Sequence, residues 1–65
     1  MKKEVVKIKQ KDAKSIIETR KPLGRFFLLE NGLYVGIDNS EGDAWVEEFT
    51  TKEECSSWLK GEIEV

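Results

Sequence analysis

Apolar and polar positions are patterned most clearly between residues 25 and 49, RFFLLENGLYVGIDNSEGDAWVEEF. Two apolar runs flank the pair Asn31-Gly32. Asn-Gly between such runs is the strongest short-range signal for a two-residue type I′ hairpin. Counting outward from that turn pairs Glu30 with Leu33, Leu29 with Tyr34, Leu28 with Val35, Phe27 with Gly36 and Phe26 with Ile37. Paired residues share a face. One face therefore carries Phe26, Leu28, Leu33, Val35 and Ile37, the expected core. The second carries Phe27, Leu29, Tyr34 and Gly36.

A second polar turn, residues 39–43, returns the chain into residues 44–49 and completes a three-stranded antiparallel meander. Two registers compete here. A five-residue loop sets Trp45 opposite Ile37 on the core face, whereas a four-residue loop sets it over Gly36, beside Phe27. A slip of one residue moves every side chain to the other face. The core placement of Trp45 is the expectation.

Helical spacing appears on either side of the meander. In residues 12–20, DAKSIIETR, the apolar positions Ala13, Ile16 and Ile17 share one stripe, and Asp12 can cap the first turn. Arg20 and Lys21 suit the negative end of the helix dipole, and Pro22 and Gly24 stop the helix. In residues 50–60, TTKEECSSWLK, Thr51 and Glu54 have capping-box spacing, with Thr50 and Glu53 as the alternative pair. Cys55, Trp58 and Leu59 form the apolar stripe, and Gly61 marks the stop. Residues 4–9, EVVKIK, alternate as an edge strand would, with Lys7 and Lys9 discouraging pairing with other chains. The tail, residues 62–65, either frays or adds a strand pairing. The expected fold is a single α+β domain over residues 1–65, ordered β-α-β-β-β-α. Its three-stranded antiparallel meander extends to four strands if the N-terminal edge strand joins, and two short helices pack on it.

At 65 residues the chain is close to the lower limit for independent folding. A core of this size supplies about 3–5 kcal/mol, so a partner or self-association would matter for stability. One Cys excludes an internal disulfide, and the absence of His removes the usual zinc ligands. The short N-terminal apolar run is no signal-peptide core, and no stretch reaches membrane-spanning length. A cytoplasmic protein without a membrane partner is expected.

The net charge of −2 conceals an asymmetry. Residues 1–25 hold nine Lys/Arg against three acids, and residues 26–65 hold two against ten. Such a division suggests either an oppositely charged partner or two halves that fold against each other. Lys7, Lys9, Lys14, Arg20 and Lys21, with Lys11 and Arg25, could contact nucleic-acid phosphates. The sequence pI near 5.1 and the lack of a recognisable motif favour a solvated surface instead.

Catalytic chemistry finds little support. Glu47 and Glu48 are adjacent on a strand and point to opposite faces, while Glu53 and Glu54 suit a first helical turn. Cys55 lies on an apolar stripe without a histidine to activate it, which reads as a small buried hydrophobe. The acidic stretch DNSEGD, residues 38–43, fails the EF-hand pattern, which needs glycine sixth and glutamate twelfth. An Asx-type turn with Gly42 at positive φ accounts for it. The five glycines follow no phosphate-loop spacing. No enzyme, cofactor or metal site is expected.

The remaining candidate is the second sheet face: Phe27, Leu29 and Tyr34, with Trp45 and Val46 as further members. Left open, it forms an interaction patch, and acids at positions 38, 41, 43 and 48 would steer a basic partner. Covered by a helix or by the first strand, it becomes part of a three-layer core. The functional expectation is a non-enzymatic protein–protein interaction module or homodimer, of the small modulator type that bacteria and bacteriophages encode. The alternative is nucleic-acid binding through the basic N-terminal segment.

Overall fold

The structure, a computed structural model, describes residues 4–63. The elements run β1 (Val5–Lys7), α1 (Gln10–Thr19), β2 (Gly24–Glu30), β3 (Leu33–Asn39), β4 (Trp45–Phe49) and α2 (Lys52–Leu59). The strands form one sheet in the order β1-β2-β3-β4. β1 lies parallel to β2, with Val6 opposite Phe26, and the other pairings are antiparallel. A parallel pair needs a crossover between its strands, and α1 supplies it. The N-terminal strand thus joins the sheet, as a three-residue edge.

The first hairpin has the expected register, from Glu30 opposite Leu33 to Phe26 opposite Ile37. Asn31 and Gly32 both have positive φ, 53° and 79°, which is the type I′ conformation. The second hairpin matches neither expected register. Asp38 pairs with Trp45 and Ile37 with Val46, so Ala44 is drawn into the loop. This corrects the core placement of Trp45: its side chain lies on the second face and is 66% exposed. Val46 lies on the first face, across from Ile37.

Asn39 supplies the physical reason. It is fully buried, its Nδ2 donates to the Pro22 carbonyl at 2.9 Å, and its Oδ1 accepts from the Ala44 N–H at 3.2 Å. A buried amide must be satisfied, and satisfying this one folds the chain back at Ala44. Ala44 takes φ 50° to reach it. Arg20, the C-cap of α1, fastens the same loop, with Nη1 donating to the Asp43 carbonyl at 2.6 Å.

α1 starts two residues earlier than its spacing predicts. Lys9 is the N-cap, and Asp12 sits inside the first turn, accepting from the Lys9 N–H at 3.4 Å. Ala13 and Ile16 are buried, but Ile17 is 42% exposed, so the buried stripe is narrower than the pattern suggests. Arg20 ends the helix at φ 60°. α2 has the expected Thr51 N-cap, with one half of the capping box. Thr51 Oγ1 accepts from the Glu54 N–H at 3.2 Å, and the Glu54 carboxylate accepts from the hydroxyls of Thr50 and Thr51. Of the predicted tail, positions 64 and 65 lie outside the described residues.

The two helices lie on opposite faces, giving three layers. On the first face α1 packs Ala13 and Ile16 with Phe26, Leu28 and Ile37. On the second, α2 brings Cys55 and Leu59 onto Phe49, with Phe27, Tyr34, Val5 and Trp58 packed around them. Gly36 makes the second layer possible. A Cβ there would stand 3.1 Å from Cys55 Sγ and 3.1 Å from two atoms of the Trp58 ring. The aromatic residue over this strand glycine is therefore Trp58, arriving from the helix.

Candidate functional site

The second face divides into a covered part and an open part. Cross-strand rows run Lys7–Phe27–Gly36–Glu47, and Leu29–Tyr34–Phe49 beyond it. α2 lies over the middle of these rows, so Phe27 and Tyr34 are half-buried in the second core cluster. Leu29 stays 55% exposed at the margin. In the row Val5–Arg25–Asp38–Trp45, Val5 packs against the α2 cluster and Trp45, at the other end, stays exposed. The four aromatic and aliphatic residues expected to form one patch are thus separated: two beneath a helix, two exposed.

Trp45 stands over an acidic corner. With Arg25, Asp38, Ser40, Glu41 and Asp43 it lines an open hollow of about 230 Å³. Asp38 is held in place by a local turn, its Oδ1 accepting from the Ser40 N–H at 3.1 Å and the Ser40 hydroxyl at 2.7 Å. The Asx-type turn expected for this stretch is present, with Gly42 at φ 84°. Glu47 and Glu48 follow Trp45 and Val46 along β4, all four exposed. Among the described residues β4 is also an edge of the sheet, with no strand neighbour on one side of its backbone.

The expected basic residues divide between α1 with its flanks (Lys9, Lys14, Arg20 and Lys21) and β1 (Lys7). Lys7 projects from β1 on the second face, beside Phe27. Lys14 lies on α1, Lys9 at its N-cap, and Lys21 in the connection to β2, all exposed. Arg20 donates to the Asp43 and Ile17 carbonyls, so its guanidinium is tied to the fold. What residue spacing missed is a different lysine grouping. Lys52, Ser56 and Lys60 recur at four-residue intervals around α2 and share a cleft with Lys7, Val5 and Phe27. The four-residue interval is visible in the chain, but the meeting with Lys7 needs the folded sheet.

Cys55 is buried against the sheet at 1% exposure. Loss of hydration pushes its thiol above the usual range, which disfavours the nucleophilic thiolate. No helix among the described residues is long and apolar enough to cross a membrane. Compared with protein-family models, curated proteins and solved structures, the chain matches none.

Proposed function

We propose that the chain is a non-enzymatic binding module that takes an extended, basic segment of a partner protein along the open edge of β4. The observation carrying this reading is the 66% exposure of Trp45 on an edge strand. Tryptophan is normally largely buried and is over-represented among the anchors of interfaces. An added strand would complete the outer hydrogen bonds of β4. It would meet Trp45 and Glu47 on one face of the sheet and Val46 and Glu48 on the other. A segment with two consecutive apolar residues beside two consecutive Lys or Arg fits that order, and Asp38, Glu41 and Asp43 add to the attraction. Two copies paired through β4 would crowd glutamates across the seam, which is unfavourable. A different protein is therefore the better occupant. The buried Cys55 thiol, the strongest nucleophile type in the chain, supports a role without covalent chemistry.

A peptide in which Val-Val and Lys-Lys pairs alternate is the direct probe, with binding followed by isothermal titration calorimetry. Trp45→Ser should weaken binding by at least about thirtyfold, the scale of an interface anchor. Its unfolding free energy should stay within about 0.5 kcal/mol of the parent, as for other exposed positions. Retained affinity in that variant would place the partner elsewhere. Sedimentation of the chain alone tests the occupant. A dimer that Trp45→Ser dissociates would make the partner a second copy and overturn the heterologous reading.

A further inference from the structure

The loop between β3 and β4, residues 40–44, carries Glu41 and Asp43 into the hollow that Trp45 lines. Its own bonds hold it only loosely: Ser40 turns on Asp38, and the Gly42 N–H meets the Asn39 carbonyl at 3.4 Å. Gly42 and Ala44 both take positive φ, 84° and 50°, and for Ala44 that region is unfavourable. The shape is secured by side chains from beyond the loop. Asn39 Oδ1 accepts from the Ala44 N–H, and Arg20 reaches in from the end of α1. Arg20 Nη1 donates to the Asp43 carbonyl at 2.6 Å and to the Gly42 carbonyl at 3.4 Å. Its Nε donates to the Ile17 carbonyl at 3.0 Å, so one guanidinium both closes the last turn of α1 and clamps the loop. The backbone at Arg20 sits at φ 60°, a conformation that helix ends usually give to glycine. An arginine there is at a disadvantage unless its side chain makes contacts that glycine could not.

We infer that Arg20 is a positioning residue for the binding edge: from α1 it holds residues 40–44 in the shape that presents Glu41 and Asp43 to a basic partner segment. This role rests on the reading of β4 as the binding edge. Arginine suits the task because its donors form a rigid fork that bonds Ile17 and Asp43 at once, whereas lysine offers a single nitrogen. Both loop bonds go to main-chain carbonyls, so the clamp leaves the Asp43 carboxylate to the partner. A loop already ordered in the free chain loses less conformational freedom on binding, which raises affinity without adding a contact. Removing Arg20 also removes a positive charge, which by charge alone favours a basic segment. A loss of affinity on its removal therefore reports the clamp.

Calorimetric titration of the full chain with the Val-Val/Lys-Lys peptide tests the role in Arg20→Gly and Arg20→Lys. Glycine accepts φ 60° without strain, so Arg20→Gly should fold with α1 intact. Its affinity should fall by about five- to tenfold, and Arg20→Lys, which keeps the charge, should lose a similar factor. In the free chain, hydrogen exchange at the Ala44 amide should speed by about tenfold in Arg20→Gly, while amides between β2 and β3 keep parental rates. With Glu41→Gln/Asp43→Asn already in place, Arg20→Gly should cost little further affinity, because the carboxylates it positions are gone. A merely structural role would cost the same factor in both backgrounds. Parental affinity in Arg20→Gly, unchanged exchange at Ala44, or equal losses in the two backgrounds each overturn the positioning role and leave the binding edge standing. A parent chain that takes no peptide ends the binding-edge reading, and the role of Arg20 falls with it.

Discussion

On the first face of the sheet, α1 lays Ala13 and Ile16 over Phe26, Leu28 and Ile37. On the second, α2 lowers Cys55 and Trp58 onto a glycine. Both helices cover apolar strand residues, but they do so by different means. The first contact interlocks side chains of ordinary size. The second depends on a missing side chain in mid-strand, and it covers only part of its face. Arg25, Asp38 and Trp45 remain outside it, at the end of the sheet where β4 begins. Gly36 therefore makes room for Trp58 in the core, while the register fixed through Asn39 leaves Trp45 exposed.

Three substitutions or measurements test this contrast, beginning with the largest effect. Leu28→Ala empties space in the first core, where Leu28 is 2% exposed, and should cost about 2–5 kcal/mol in denaturant unfolding. That approaches the whole stability expected of a chain this small, about 3–5 kcal/mol. The folded population should fall visibly at 25 °C. Gly36→Val overpacks the second core and should cost about 1–3 kcal/mol. Its near-UV circular dichroism should change through Trp58, with α1 undisturbed. Parental stability and an unchanged Trp58 signal in this variant would mean that α2 docks without needing the glycine.

The smallest effect concerns Cys55. In the parent chain a thiol reagent should react slowly at neutral pH, because burial both shields the sulfur and raises its pKa. Gly36→Val should speed labelling by loosening α2. The same shift sets a pH dependence. Below the usual thiol range both folded and unfolded chains hold the proton, and this group contributes no slope. Above it the unfolded chain ionises first, so stability falls as pH rises until the folded thiol also titrates. Rapid labelling of the folded parent would show that the second core is open at Cys55.

The first hairpin was legible because its signal is local. Asn31-Gly32 demands two positive φ angles, and the alternation on either side assigns every residue from Phe26 to Ile37 to a face. The N-cap at Thr51 is equally local, with donor and acceptor three residues apart. The second hairpin was not legible, because its register depends on a contact across the chain. Asn39 reaches the Pro22 carbonyl, and no count of loop residues reveals that bond. The candidate site had the same limitation. Trp45 was identifiable as an aromatic of interest, but its face required the register. Phe27 and Tyr34 were assigned to the correct face, while their burial required the position of α2.

By itself, then, the chain of side chains determined the element order, the first hairpin and its faces, the α2 stripe and, of the α1 stripe, Ala13 and Ile16. These follow from turn geometry and from periods of two and 3.6 residues, which act over short distances. Tertiary structure alone decided that α2 takes the second face, that Trp45 stays outside it, and that Lys7 meets Lys52 and Lys60. Each of those outcomes depends on packing between segments far apart in the chain. There a buried amide and a mid-strand glycine outweigh local preference, because unsatisfied polar groups and steric overlap cannot be relieved within a single element.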